Sequence, residues 1–501
     1  MSVARRGLAQ RTAVGVLWTA LSMGAQSAMQ LVAFVVLARL LSPKEFGLFA
    51  ATLVVIGLCE IFSELGVGPA IVQRPTLEER HLRVGFTLSL LIGGAVAGLV
   101  WAGAPAIAAF FHSAELVHVV RAACLVFLCH GISMVAQASA QRELRFGWLA
   151  GVDAIAFTAG FVVAGPALAW LGFGVWALIG ALVTQHFLRM LMLLVGQPHP
   201  KRLLLEQRAI GELLYFGGGF TLARLGNYLA GQADKLVVGR WLGAQALGLY
   251  ALACQFITAP AFLVGRVLDR VLFPAMALVQ REPARLARAY RSGVAVCALL
   301  ILPASVVVVM VAPELVLVLL GPAWAAIEVP LRILVLGMLF RTSYKLSDSV
   351  ARATGAVYAR AWRQAVFAGA VVAGSLIGQF WGVEGVAVGV VAAVTLNFAL
   401  MAQLSLRLTG MRWVEFGAAH RPGLALAAAL GAGTWLLLGW LRELQVPPLV
   451  LLLEVGLFAS ATGLLLCWCI PAQFLGQDTR SSLLRALAAL APAQLQRRPV
   501  A

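Results

Sequence analysis

Three charged residues recur at helical spacing in the segment FRTSYKLSDSVAR, which begins at Phe340 and follows a long apolar stretch. Arg341, Lys345 and Asp348 stand at positions i, i+4 and i+7, which places them on one face of an α-helix. A charge at the centre of a bilayer costs about 2.5–3.5 kcal/mol, so such residues normally face a partner or a water-filled cavity. Lys345 and Asp348 are close enough to pair. Arg341 is then left to bind phosphate oxygens through its planar set of N–H donors.

A second polar helix face lies earlier in the chain, and its members are Arg224, Asn227, Gly231 and Asp234. When the sequence is shifted by 201 positions, Asn227 falls on Gln26, and the face of that earlier helix continues to Gln30. Two related helices that each carry a polar face predict a shared central cavity. The residues that we expect to bind substrate there are Gln26, Gln30, Arg224, Asn227, Arg341, Lys345 and Asp348.

Two carboxylates, Glu60 and Glu64, lie one helical turn apart in the segment CEIFSELGVGPA. Carboxylates inside a membrane span are candidates for proton or cation coupling, because a like-charged neighbour raises the pKa of one of the pair. The alternative is that Glu64 lies in water near the end of its span and has no role in coupling.

The composition assigns the chain to the membrane. Of the 501 residues, 61% are hydrophobic and only 12% are charged, against about 25% charged residues in a soluble domain. The net charge of +17 would suggest nucleic-acid binding in a soluble protein. Here we attribute it to the basic cytoplasmic loops of membrane proteins and expect no nucleic-acid partner.

Fourteen apolar segments are long enough to span a bilayer, since about 20 residues suffice. They lie at 13–38, 46–66, 84–111, 119–140, 149–170, 173–195, 212–233, 246–268, 291–312, 329–350, 357–380, 383–406, 423–441 and 447–470. If the N-terminus is cytoplasmic, about 27 Lys and Arg residues fall in cytoplasmic segments and about 5 in outer ones. This bias predicts that both termini are cytoplasmic.

The sequence also predicts two related halves. The 201-residue shift matches 30–50 with 231–251, and Arg39 recurs as Arg240 within the unit R-x-L-x5-G-L-[FY]-A. Both six-helix sets begin and end inside, so we expect parallel repeats related by an axis along the membrane normal. The predicted divisions are an N-lobe at 1–200, a C-lobe at 201–410, two further helices at 411–470 and a cytoplasmic tail at 471–501.

The sequence carries no pattern typical of an enzyme. It has no G-x-x-x-x-G-K-[ST] motif for nucleotide phosphates, no evident Ser–His–Asp set and no cluster of metal ligands. We therefore expect neither catalysis nor a metal or other cofactor.

Four segments resemble the bacterial oligosaccharide-lipid flippases of the multidrug/oligosaccharidyl-lipid/polysaccharide export superfamily, in particular the lipopolysaccharide and exopolysaccharide (colanic-acid-type) branch. They are ARLLSPKEFGLFA at 38–50, NYLAGQADKLVVGRWLGAQALGLYALA at 227–253, RVLFPAMALVQ at 270–280 and APELVLVLLGPAW at 312–324. The Asp234–Lys235 pair and Arg240 match the family pattern, and we assign them with Arg39 to gating or architecture at the outer end of their helices.

The resemblance implies a two-lobed bundle of twelve core helices plus two in the bacterial inner membrane, opening alternately to the cytoplasm and the periplasm. The implied cargo is an oligosaccharide linked to undecaprenyl pyrophosphate, which is flipped to the outer leaflet for surface polysaccharide synthesis. The partners expected with this activity are the lipid-linked oligosaccharide, membrane lipids, and a polysaccharide polymerase with its chain-length machinery.

Three alternatives stay open at this point. A cation-coupled multidrug exporter would need a cavity dominated by carboxylates and aromatic residues, which the cationic Arg224, Arg341 and Lys345 disfavour. A peptidoglycan-precursor flippase would also carry a lipid pyrophosphate. A non-transporting scaffold of a polysaccharide synthase complex would leave the charges in the spans without a role.

Overall fold

The computed structural model describes residues 28–64, 66–74, 76–207, 210–211, 225 and 228–469. These residues form helices and no strand, and ten helices among them are long and apolar enough to cross a membrane. The predicted all-α polytopic membrane class is confirmed. The count of fourteen spans stays a prediction, because the described part adds only two shorter apolar helices, Ala28–Leu40 and Pro448–Gly463. Gln26, Arg224, Asn227 and the side chain of Glu64 lie outside the described residues.

The described helices belong to two compact units, and the first contains Gln30–Leu252 and Val371–Gly389. Its helices begin with α1 (Ala28–Leu40), α2 (Pro43–Glu64), α3 (Val67–Gln73), α4 (Glu79–Phe110), α5 (Leu116–Ala123) and α6 (Leu125–Arg142). They continue with α7 (Phe146–Phe157), a π-helical turn (Thr158–Ala164), α8 (Gly165–Trp170), α9 (Val175–Gly196), α10 (228–237, ending in the π-helical turn Val238–Leu242) and the start of α11 (Gly243–Leu278).

Two glycines set the ends of helices in this unit. Gly66 has φ 73° and separates α2 from α3, and Gly243 has φ 85° at the junction of α10 with α11. Both angles lie in the left-handed region, which glycine adopts without the steric penalty of a Cβ atom.

Glycine also allows α4 and α6 to pack closely, as small residues do between membrane helices. A Cβ atom at Gly131 would lie 2.5 Å from the carbonyl oxygen of Ser89, and one at Gly93 would lie 2.8 Å from that of Phe127. The backbones of α4 and α6 therefore approach each other directly at these two glycines.

The connector after α9 lies against the first turns of α4. The backbone N–H of Leu204 donates to the hydroxyl of Thr87 at 2.9 Å, and Glu206 pairs with Arg80 at 3.2 Å. Leu204 and Ile210 also pack against an apolar cluster of α3, α4 and α6. The connector is therefore part of the folded unit over this length.

The second unit contains Ala253–Ala370 and the described residues from Val390 onward. After α11 its helices are α12 (Pro283–Met310), α13 (Ala312–Leu319), a 3₁₀ turn (Pro322–Ile327), α14 (Glu328–Leu336), α15 (Met338–Ala353), α16 (Val357–Gly378), α17 (Gly382–Thr409), α18 (Trp413–Glu443) and α19 (Pro448–Cys469). Among the helices that the structure describes, α12 and α18 share the most extensive contact. A Cβ atom at Gly423 on α18 would lie 2.6 Å from the carbonyl of Ala298 on α12, so this interface also depends on a small residue.

Exposed aromatic residues mark a membrane boundary at one end of the first unit. Trp170, Phe173 and Trp176 lie around the turn between α8 and α9, and Phe380 and Trp381 lie between α16 and α17. Tryptophan is enriched at membrane–water interfaces because its ring is apolar while its N–H reaches water. In the predicted topology this boundary is the outer one.

Candidate functional site

The polar face predicted from Arg341, Lys345 and Asp348 lies on α15. Arg341 is half-buried, and its Nη1 atom donates to the hydroxyl of Thr258 on α11 at 3.4 Å. The guanidinium borders a small cavity whose other walls are apolar side chains of α11, α14 and α17. A cation beside apolar walls, with a neutral hydroxyl as its hydrogen-bond partner, keeps donors for an anionic ligand.

Asp348 lies at the other end of this face and is held by two arginines. It pairs with Arg352 on α15 at 3.1 Å and with Arg360 on α16, and its side chain is 16% exposed. Sequence spacing favours a pair between Lys345 and Asp348, and it misses Arg360, which comes from the next helix. Asp348 therefore joins α15 to α16, and its expected role in substrate binding stays a prediction.

A charged cluster that spacing does not reveal lies inside the first unit. Arg189 on α9 pairs with Asp153 on α7 at 2.7 Å, and its Nη1 atom donates to the side-chain oxygen of Gln137 on α6 at 3.2 Å. Arg189 lies in the second half of the predicted span at 173–195. The structure places it between three helices, and only their packing brings Asp153 and Gln137 to it.

Helix α2 carries the predicted coupling residues and also contacts α10. The hydroxyl of Tyr228 on α10 donates to the carbonyl oxygen of Val54 at 2.9 Å. Its ring covers Gly57, where a Cβ atom would lie 2.8 Å from the ring carbon Cζ. Glu60 is half-buried one turn farther along α2. Tyr228 is thus a joining residue that the sequence does not single out, and coupling through Glu60 and Glu64 stays a prediction.

The residues assigned to gating or architecture differ in their surroundings. Asp234 is buried, and it accepts hydrogen bonds from the hydroxyl of Tyr250 and from the backbone N–H of Lys235, both at 2.8 Å. Arg240 donates to the carbonyl of Phe110 at 2.8 Å, where a positive charge suits the C-terminal end of α4. Arg39, its counterpart in the repeat, is exposed at the end of α1.

Residues related by the 201-position shift meet at the first turns of α2 and α11. A Cβ atom at Gly47 would overlap the carbonyl oxygen of Ala244 and lie 3.1 Å from its Cα atom. A Cβ atom at Gly248 would overlap the carbonyl oxygen of Pro43 and lie 2.9 Å from its carbonyl carbon. Gly248 is Gly47 shifted by 201, and Ala244 is Pro43 shifted by 201, so the contact is reciprocal. We call these four residues the reciprocal glycine contact.

The reciprocal glycine contact distinguishes two kinds of repeat. An axis in the membrane plane would place the starts of α2 and α11 on opposite faces of the membrane, whereas an axis along the normal keeps them on one face. Their direct contact therefore agrees with parallel repeats. Equivalent contacts in both directions are expected between related helices and not between unrelated ones.

No group of three or more His, Cys, Asp or Glu side chains lies together to hold a metal ion in the part of the chain that the structure describes. The polar groups characterised above are instead hydrogen-bond donors, acceptors and ion pairs.

A family model described as "Polysaccharide biosynthesis protein" matches residues 36–329. The chain belongs to this family. The match covers α2, α4, α10 and the reciprocal glycine contact.

Three relatives of this family member have named roles. The teichuronic acid biosynthesis protein TuaB of Bacillus subtilis is 26% identical over 68% of this chain and 71% of its own length. The lipopolysaccharide biosynthesis protein WzxC of Escherichia coli is 26% identical over 78% of this chain and 80% of its own. The succinoglycan biosynthesis transport protein ExoT of Rhizobium meliloti is 26% identical over 62% of each chain.

Solved structures show the same fold. The lipid II flippase MurJ in its inward closed conformation covers 90% of this chain and 98% of its own, with a TM-score of 0.73 and 13% identity. An inward-facing multidrug resistance transporter of the MATE family covers 77% of this chain and 95% of its own, with a TM-score of 0.59 and 14% identity. At these identities the solved structures speak for the fold alone. The family match and the named relatives confirm the resemblance of this chain to polysaccharide transport proteins.

Proposed function

We propose that this protein flips an oligosaccharide linked to undecaprenyl pyrophosphate from the cytoplasmic to the periplasmic leaflet, by alternating access, for the synthesis of lipopolysaccharide or exopolysaccharide. The three named relatives support the cargo class, because each is named for the biosynthesis or transport of a surface polysaccharide. The match to MurJ supports the architecture.

The observation that carries the proposal is the reciprocal glycine contact. Alternating access requires that related elements of two repeats close one face of the membrane while the other face is open. Gly47 and Gly248 let the first turns of α2 and α11 meet backbone to backbone. A contact of this kind seals one face tightly and separates without breaking any strong bond.

The charge on α15 suits an anionic cargo. Arg341 keeps donors that its neutral partner Thr258 does not satisfy, and guanidinium N–H groups match phosphate oxygens. A phosphate group and sugars would not cross hydrocarbon unaided, because unpaired polar groups are costly there. If about two negative charges move outward, a cell potential of 100 mV favours the step by about 4–5 kcal/mol.

The proposed location is the bacterial inner membrane. The bias of Lys and Arg toward alternate connectors supports a bacterial inner-membrane protein with both termini in the cytoplasm. The protein acts as a transporter without catalysis, and its partners are the lipid-linked oligosaccharide, membrane lipids, and a polymerase with chain-length machinery. The relatives' names support the polysaccharide context of these partners.

A flipping assay in proteoliposomes tests the proposal. The purified full chain is reconstituted with the lipid-linked oligosaccharide extracted from its native host, and outward movement is followed with an imposed potential. We expect flipping that responds to the potential, and a loss of at least tenfold in Arg341→Ala. Arg288→Ala is the matched control, since Arg288 lies exposed on the basic first turns of α12. No response to potential, together with full activity of Arg341→Ala, would contradict the charged-headgroup mechanism.

The same preparation separates the alternatives. A multidrug exporter would move cationic drugs and leave the lipid-linked oligosaccharide in place. A peptidoglycan-precursor flippase would rescue cells depleted of their own precursor flippase. A scaffold would show no flipping as a pure protein, and that result would overturn the proposed function altogether.

A further inference from the structure

A cavity of about 620 Å³ lies at one end of the second unit, apart from the polar face of α15. Its walls come from the last turn of α12, from α14 and from the last turns of α18. We call it the tryptophan cavity, and its polar and aromatic wall residues are Arg332, Trp435, Trp440, Arg442 and Glu443. The volume falls within the roughly 300–1,000 Å³ that is usual for small-ligand sites. In the proposed topology this end faces the periplasm.

The cavity rests on a rigid apolar base. Leu438 and Leu441 of α18 pack with Val311, Leu451 and Val455 in one buried cluster that joins α18 to α19. Buried clusters of this kind hold side chains in fixed rotamers. The wall residues on α18 are therefore presented from a fixed helix end.

Both arginines of the cavity are oriented by glutamates. Arg442 bonds Glu314 through Nε at 2.8 Å and Nη2 at 2.7 Å, and Nη2 also donates to the carbonyl of Met310 at 3.3 Å. Arg332 pairs with Glu328 through Nη1 at 3.1 Å, while its Nε atom is buried and has no hydrogen-bond partner among the described residues. A buried donor without a partner costs about 1–3 kcal/mol, which a ligand oxygen would offset.

The tryptophan cavity has no uncompensated positive charge. Each arginine has its own glutamate, and Glu443 adds one further negative charge to the wall. A cavity without spare positive charge does not favour a pyrophosphate. It offers both N–H donors and carboxylate acceptors, which suits a neutral molecule that carries many hydroxyl groups.

The two tryptophans supply the remaining recognition. Trp435 is 67% exposed and Trp440 is 59% exposed, although both border the cavity. The C–H face of a sugar ring is apolar and can cover an indole ring, while its hydroxyls reach the polar groups at the edge. We propose that the tryptophan cavity binds the oligosaccharide portion of the flipped cargo at the periplasmic face. This inference rests on the proposed function.

Binding of released sugar by the pure protein tests the proposal. The probe is the oligosaccharide freed by mild acid from the lipid-linked pool of the native host, titrated calorimetrically into the full chain in nanodiscs. We expect saturable binding that weakens at least tenfold in Trp440→Leu and in Arg332→Gln. Trp170→Leu is the matched control, because Trp170 is a boundary tryptophan with 83% exposure that borders no part of this cavity. Its binding should stay within twofold of the wild type.

The outcomes separate this site from the proposed function. Wild-type flipping in proteoliposomes together with no saturable binding of the oligosaccharide, or with equal binding by all variants, would overturn the sugar site and leave the flippase intact. Native mass spectrometry tests whether a phospholipid occupies the cavity instead. A phospholipid that is retained by the wild type and lost in Trp440→Leu, without sugar binding, would show that the cavity holds a lipid headgroup. Variants that keep the wild-type unfolding temperature exclude misfolding as the cause of lost binding.

Discussion

Replacing Gly47 by alanine is the most direct perturbation of the proposed closure at the outer face. The added methyl group would overlap the carbonyl oxygen of Ala244 and lie 3.1 Å from its Cα atom. Carbon atoms pack at about 3.5–4.0 Å, so α2 and α11 must separate locally by on the order of 1 Å. Overpacking of this size costs typically 1–3 kcal/mol. The cost applies only to the state in which the two helices meet.

The expected result is a shift of population away from the closed outer face. A cost of 1–3 kcal/mol corresponds to about 5–150-fold in the equilibrium between two states. The readout is the rate at which an impermeant maleimide modifies a cysteine at Ala244, in a background that lacks the seven native cysteines. We expect this rate to rise within that range and the flipping rate to fall.

Two further variants make the test specific. Gly248→Ala introduces the same overlap from the other repeat and should reproduce the effect, because Gly248 meets the carbonyl of Pro43. Gly98→Ala on α4 is the control, since a Cβ atom there meets nothing within 4 Å. If both contact variants show the wild-type labelling rate and the wild-type flipping rate, the reciprocal glycine contact does not close the outer face. If only one of them matters, the symmetry argument fails.

Three further predictions concern stability. Tyr228→Phe removes the hydrogen bond to the carbonyl of Val54 and should lower the unfolding temperature by an amount that corresponds to about 0.5–1.5 kcal/mol. Tyr358→Phe is the control and should leave the unfolding temperature unchanged, because the side chain of Tyr358 is 91% exposed. Equal unfolding temperatures for the two variants would contradict the contribution of the Tyr228 hydrogen bond. Arg189→Ala leaves Asp153 without its partner and should destabilise the protein more than the double variant with Asp153→Asn; additive losses in thermal unfolding would show that the pair is not coupled. Burial lowers the pKa of His199 in the folded protein below its ordinary value of 6.5, so as the pH falls the unfolded chain binds a proton before the folded protein does. The contribution of this residue to stability is therefore lost as the pH falls below about 6.5. His199→Gln should remove that part of the pH dependence of chemical unfolding, and an unchanged profile would refute the prediction.

Local patterns in the sequence were sufficient for the fold class. The apolar segments of spanning length identify membrane helices because hydrocarbon demands internal hydrogen bonding, which a helix satisfies within itself. The 201-residue shift also identified Gly47 and Gly248 as related positions. Their direct contact was not predicted, because a repeat in the sequence does not specify which ends of the repeats touch.

The partners of charged residues were harder to predict than the residues themselves. Helical spacing correctly places Arg341 and Asp348 on one face of α15, since both residues belong to the same helix. The pairing of Asp348 with Arg360 depends on the packing of α15 against α16, and that of Arg189 with Asp153 depends on the packing of α9 against α7. Contacts between helices depend on tertiary structure, which the residue spacing within one helix does not specify.

The partners also separate arginines whose positive charge is compensated by a carboxylate from one that can bind an anionic group of the cargo. Arg189, Arg332 and Arg442 each bond a glutamate or aspartate at 2.7–3.1 Å, so their charge is compensated by the protein itself. Arg341 instead donates to the neutral hydroxyl of Thr258 at 3.4 Å, near the long limit of a hydrogen bond. A cation that transports an anion must release its ligand in each cycle, and a permanent carboxylate partner would compete with that ligand. The weak partner of Arg341 is therefore compatible with its proposed role in binding the cargo. Under that proposal, Thr258→Asp should inhibit flipping in proteoliposomes, because the new carboxylate would compete with the anionic cargo.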